Sequence, residues 1–91
     1  MGLVQHETVY FEGRVQGVGF RYATLRLAKE FEVTGYVKNM PDGRVILELE
    51  GTPAEISAMM QAIEERMYGY IRKIERSSVR REAIFSGFDV R

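Results

Sequence analysis

From Thr8 the chain alternates. Val9, Phe11 and Val15 share one face, while Tyr10, Glu12 and Arg14 point the other way, and a period of two predicts a strand. Gly13 falls on the apolar face, where a missing side chain suits a bulge or close packing. The rhythm then changes. Ala23, Leu27, Ala28 and Phe31 recur near helical spacing, which predicts a helix over Tyr22–Glu32. Thr34-Gly35 ends it, and a second strand is expected over Tyr36–Met40. Pro41-Asp42-Gly43 is a turn signal, because Pro presets φ while Asp and Gly tolerate the remaining turn conformations. It leads into a third strand with Val45, Leu47 and Leu49 inward and Glu48 and Glu50 outward. Thr52-Pro53-Ala54-Glu55 is a capping box with Pro at the first helical position. Ile56, Met59, Met60, Ile63 and Met67 then form one helical stripe, and Gly69 stops it. Tyr70–Arg80 alternates poorly, with Arg72, Lys73, Arg76 and Arg80 crowded in, as suits an edge strand. Gly87–Arg91 is a short last strand. Residues 1–7 read as a flexible lead-in, so His6, the sole histidine, receives no role.

The expected order is β-α-β-β-α-β with a short additional strand. Two helices with one apolar stripe each can cover one face of an antiparallel sheet, the α+β sandwich of ferredoxin-like folds. The chain of 91 residues forms a single domain, 1–91, with one core. Cysteine is absent, which removes disulfides and thiolate metal sites and fits a reducing cytoplasm. No apolar run has the length of a membrane span, and the first residues lack a leader-like stretch. Net charge is zero, against a protein whose main task is gripping nucleic acid. The charge is uneven: residues 1–65 hold six Lys/Arg against ten Asp/Glu, and residues 66–91 hold seven against three. A solvated strand and loop accounts for that basic end.

Candidate chemistry concentrates in Gly13-Arg14-Val15-Gln16-Gly17-Val18-Gly19-Phe20-Arg21, between the first strand and the first helix. Three glycines permit a tight turn whose backbone N–H groups converge, a helix N-terminus adds a positive dipole end, and Arg21 adds a planar cation. Together they describe a cradle for a phosphoryl group, although such turns often satisfy backbone geometry alone. No Gly-Lys-Ser/Thr closes the loop, and Tyr22 stands where a dinucleotide fingerprint needs a third glycine, so the ligand is small. Arg21 is either the anion's clamp or an exposed helix-start arginine, and Asn39 is either a functional carboxamide or ordinary turn chemistry. No His/Cys/Asp/Glu cluster has metal-ligand spacing, and no serine or cysteine has a plausible base. An enzyme built this way needs a reaction that asks for little acid or base help. Acyl phosphates qualify: the carboxylate leaves without protonation, and the attacking water can pass its proton to a phosphate oxygen.

Gly13 to Arg21, with Gly35-Tyr36-Val37-Lys38-Asn39 followed by Pro41-Asp42-Gly43, resembles the acylphosphatase family, as do Phe88 and Arg91 near the end. The resemblance implies a ferredoxin-like sandwich that hydrolyses the carboxyl–phosphate bond to a carboxylate and inorganic phosphate. It implies that amides of Gln16, Gly17, Val18, Gly19 and Phe20 hold the phosphate with Arg21, that Asn39 orients the water, and that neither metal nor organic cofactor takes part. Tyr36 and Lys38 stand where the family often has Trp and Arg. A monomer that acts on a small acyl phosphate, with no nucleic-acid or membrane partner, is expected. Two other readings remain: an anion-binding domain without turnover, and a nucleic-acid module stacking bases on Tyr10, which the carboxylates of the third strand oppose.

Overall fold

The computed structural model describes residues 2–91. Its elements are β1 (Leu3–Gly13), α1 (Phe20–Ala28), β2 (Val33–Asn39), β3 (Val45–Gly51), α2 (Pro53–Arg66), β4 (Ile71–Glu82) and β5 (Phe88–Val90). The strands form one sheet in the order β4-β1-β3-β2-β5. The first four are antiparallel neighbours and β5 joins β2 in parallel, so this is the ferredoxin-like arrangement with a short strand added at one edge.

Alternation decides what lies beneath the helices. Val9, Phe11, Val37, Val45, Leu47 and Leu49 point to one face, and the Ile56, Met59, Met60 and Ile63 stripe of α2 closes over them; all ten are 1% exposed or less. Thr52 caps α2, its hydroxyl accepting the Glu55 N–H at 3.2 Å. The capping box is only half made, because Glu55 accepts the Glu32 N–H at 2.7 Å and so ties the approach to β2 onto the helix.

Two glycines in strands answer close backbone approaches. At Gly13 (φ 132°) the β1–β4 register shifts, and a Cβ there would run into Tyr70 O and Arg72 N. At Gly35 (φ 146°) a Cβ would overlap the Glu48 carbonyl of the adjacent strand.

Three expectations are corrected. The first helix covers Phe20–Ala28 rather than Tyr22–Glu32: Gly19 (φ 81°) starts it early, and the turns closed by Glu30 N–H to Leu27 O and Phe31 N–H to Ala28 O end it early. The lead-in is strand from Leu3, paired from Leu3↔Glu82 on one side and Gln5↔Gly51 on the other; Met1 lies outside the described residues. His6 and Glu50 are therefore interior groups, 4% and 2% exposed. They lie on the face away from the helices, where residues 83–87 cross the sheet from β4 to β5. His6 Nδ1 is 3.1 Å from Glu50 Oε2 and its Nε2 is 2.8 Å from Glu48 Oε1, so these carboxylates are not simply solvated.

Candidate active site

The segment between β1 and α1 is pinned at both ends. Arg14 N–H donates to Tyr70 O at 2.9 Å, and the buried ring of Phe20 packs on Phe11 with centroids 4.9 Å apart. Between these anchors Gly17 (φ 76°) and Gly19 (φ 81°) take left-handed conformations that residues with a Cβ adopt reluctantly. The turn is therefore sharp and the main chain is bare. Among the described residues, no backbone or side-chain acceptor takes the N–H of Gln16, Gly17, Val18, Gly19 or Phe20. Gly19 caps α1 without a side chain, and the first helical turn has no acidic residue. The dipole end is thus uncompensated, and Arg21 adds a like charge to it, an arrangement that a bound anion relieves.

Arg21 is held in place. Its Nη1 donates to the main-chain oxygen of Arg91 at 2.8 Å. Arg91 in turn donates its N–H to Val37 O at 2.8 Å, two residues before Asn39 in β2. On the other side, Gln16 spreads its carboxamide over the β2–β3 turn, with Nε2 donating to Met40 O at 2.8 Å and Arg44 O at 2.9 Å. The turn is itself closed by Met40 N–H to Arg44 O at 2.8 Å. The glycine loop, the first turn of α1 and the end of β2 therefore meet at one end of the sheet, tied by two side chains that donate to main-chain oxygens.

Asn39 lies at this junction, and its Oδ1 is buried without a hydrogen-bond partner among the described residues. A buried orphan acceptor costs about 1–3 kcal/mol, so it marks a place where something other than packing was selected. Gln16 was expected to serve through its main-chain amide; the structural role of its side chain went unread, because nothing local indicates that its partners lie 24 and 28 residues away. The Arg91 main-chain oxygen was missed for the same reason, although Arg91 itself belongs to the sequence resemblance.

A depression of about 380 Å³ lined by Ser57, Met60, Glu64, Tyr68 and Arg76 lies on α2 and β4, at a different place. A tetrahedral anion held by amides needs convergent donors more than an enclosing volume. Among the described residues, no group of three His, Cys, Asp or Glu side chains is placed to hold a metal ion. Among the described residues, no helix is long and apolar enough to cross a membrane.

Known proteins resemble this chain in sequence and in fold. The acylphosphatase family model matches residues 7–90. An acylphosphatase of Archaeoglobus fulgidus is 46% identical over 56 residues, covering 62% of this chain and 63% of that one. One from Salinibacter ruber is 49% identical over 53 residues, covering 58% and 56%. Such matches span about half to two thirds of the length of the curated relatives. The crystal structure of acylphosphatase from Bacillus subtilis superposes with a TM-score of 0.85 at 27% identity, covering 94% of this chain and 97% of that one. With a match across almost its whole length, and the loop, arginine and asparagine gathered at one end of the sheet, the chain belongs to the acylphosphatase family.

Proposed function

We propose that this protein is an acylphosphatase, hydrolysing acyl phosphates to a carboxylate and inorganic phosphate. The observation that carries the reading is the buried, unpartnered Oδ1 of Asn39 beside a loop with unclaimed N–H groups. The amides of Gln16 to Phe20 and the guanidinium of Arg21 bind the phosphoryl oxygens, and their positive potential grows in value as charge builds there during transfer. Asn39 Oδ1 accepts a hydrogen bond from the attacking water and aims its lone pair at phosphorus. Water oxygen bonds to phosphorus as the bond from phosphorus to the acyl oxygen breaks. The carboxylate departs with that electron pair, and the water's proton passes to a phosphate oxygen. No side chain has to change protonation state, and no metal or organic cofactor is required. The domain works as a monomer in the cytoplasm.

The test is release of phosphate from benzoyl phosphate without added metal, beside a phosphomonoester control. Arg21→Ala is expected to lose turnover and weaken binding of inorganic phosphate, at a cost of about 2–5 kcal/mol. Activity like that of the wild type in this variant contradicts the role given to Arg21. Phosphate binding by the wild type with no hydrolysis favours an anion-binding domain instead.

A further inference from the structure

On the face opposite the helices, Glu50 does something that neither family membership nor the proposed reaction asks of it. Its Oε1 accepts two main-chain N–H groups, from Ile84 at 2.9 Å and Phe85 at 3.0 Å. Its Oε2 faces His6 Nδ1 at 3.1 Å, with Arg81 Nε at 3.6 Å. The segment so held, residues 83–87, leads from β4 at one edge of the sheet to β5 at the other.

That path has little slack. Four strand spacings of about 4.8 Å make about 19 Å, and the six chain steps from Glu82 to Phe88 reach about 20 Å when extended. β3 is the middle strand of the five, so Glu50 grips the crossing near its midpoint. Around the grip, Phe85 stacks on His6 (centroids 5.8 Å, 24°) and meets Tyr36 edge-on (5.8 Å, 73°). Beyond it, Gly35 N–H donates to Gly87 O at 2.8 Å, three residues of β5 pair with β2, and the chain reaches Arg91, whose main-chain oxygen accepts from the Arg21 guanidinium at 2.8 Å.

We propose that Glu50 is a positioning residue for Arg21, acting through the crossing segment, β5 and the Arg91 main-chain oxygen. The proposal rests on the assignment of Arg21 to the phosphate. β5 is only three residues long and is held along one side, so its placement depends on the tension and height of the segment that feeds it. A free crossing lets β5 and the Arg91 main-chain oxygen shift, and Arg21 loses its fixed orientation while the glycine loop stays as it is.

The experiment compares wild type, Glu50→Ala, Glu50→Gln and Arg21→Ala for the inhibition constant of inorganic phosphate, KM and kcat on benzoyl phosphate, well below each melting temperature. Glu50→Ala is expected to raise the phosphate inhibition constant and KM together by about tenfold, the scale of losing part of a charge-assisted contact at Arg21. Glu50→Gln, whose carboxamide oxygen still accepts both N–H groups, is expected within about twofold of wild type. A Glu50→Ala protein that melts lower yet keeps the wild-type inhibition constant and KM overturns the proposal, since its role is then stability alone. Equal damage in both Glu50 variants also overturns it, because the charge and not the grip would then matter. If Glu50→Ala does not fold, Ile84→Pro removes one of the two donors at a residue that is 66% exposed and leaves Glu50 with His6. A rise of about threefold in the inhibition constant is expected there, and no change is contrary. Retained phosphate affinity in Arg21→Ala instead overturns the reading of the site itself, so the two failures are separable.

Discussion

Asn39 carries a stability penalty at the place where chemistry is proposed. Its Oδ1 is buried and unpartnered, while the adjacent main chain pairs normally, Asn39 lying opposite Val45 in the β2–β3 ladder. Removing an orphan acceptor without disturbing its strand recovers part of the desolvation cost, about 1 kcal/mol. Asn39→Ala is therefore expected to be at least as stable as wild type in urea. Its turnover should fall by about 10²–10³, the scale of losing one preorganised hydrogen-bonding group, while phosphate affinity changes little. Lower stability together with unchanged turnover would show that the carboxamide serves the turn and not the water. Arg21 shows the complementary logic: a cation beside an uncapped helix N-terminus is unfavourable by about 0.3–1 kcal/mol until an anion arrives.

Elements explain which features the sequence disclosed. The strand from Thr8 and the stripe of α2 were legible because periodic apolar positions need only their own spacing to be recognised. The glycine loop was legible because its chemistry sits in nine consecutive residues. Leu3–Glu7 was not, since His6 and Glu7 are buried polar groups whose partners, Glu48, Glu50 and Arg76, lie more than forty residues away. Local patterning marks such residues as solvent-facing, and only the sheet order reveals the pairing. Gly35 falls between these cases. Its place in a family motif was visible, while the reason is tertiary: φ is 146° and a Cβ would enter the Glu48 carbonyl of β3. Gly35→Ala is expected to cost about 2–4 kcal/mol, by forcing the ladder apart as well as straining the backbone. A urea midpoint within experimental error of wild type would contradict that close approach. Because β5 enters its pairing at Gly35↔Phe88, the variant should also weaken phosphate binding under conditions where it remains folded.

At the scale of the molecule, the sheet has two interiors of different kinds. The helix-covered side is mainly apolar, with one buried carboxylate, Glu7, paired with Arg76 of β4. The other side holds Tyr36, Glu48, His6 and Glu50 in contact beneath Phe85 and Arg91, with the Arg91 guanidinium 4.3 Å from the Tyr36 ring centroid. For Glu50, burial raises the pKa, but the N–H groups of Phe85 and Ile84 and then His6 outweigh it and leave the carboxyl below its ordinary 4.5. That contribution to stability is present above the unfolded value and is lost as pH falls through the folded one. Tyr36 acts at the opposite limit. Burial, and then its hydrogen bond to Glu48 and the charge of that carboxylate, raise its pKa from 10.0 to about 12, with Arg91 pulling the other way. The folded protein keeps this proton where the unfolded chain releases it, so the contribution is complete below pH 10 and disappears as pH rises toward 12. Tyr36→Phe cannot ionise at this position and lacks this loss. The melting-temperature difference between wild type and Tyr36→Phe is therefore expected to be constant from pH 7 to pH 9 and then to shift in favour of the variant between pH 10 and 12. Parallel curves across that last window would mean that the Tyr36 hydroxyl is not held by Glu48. The polar interior would then lose its link between β2 and β3 on the side that carries Arg91.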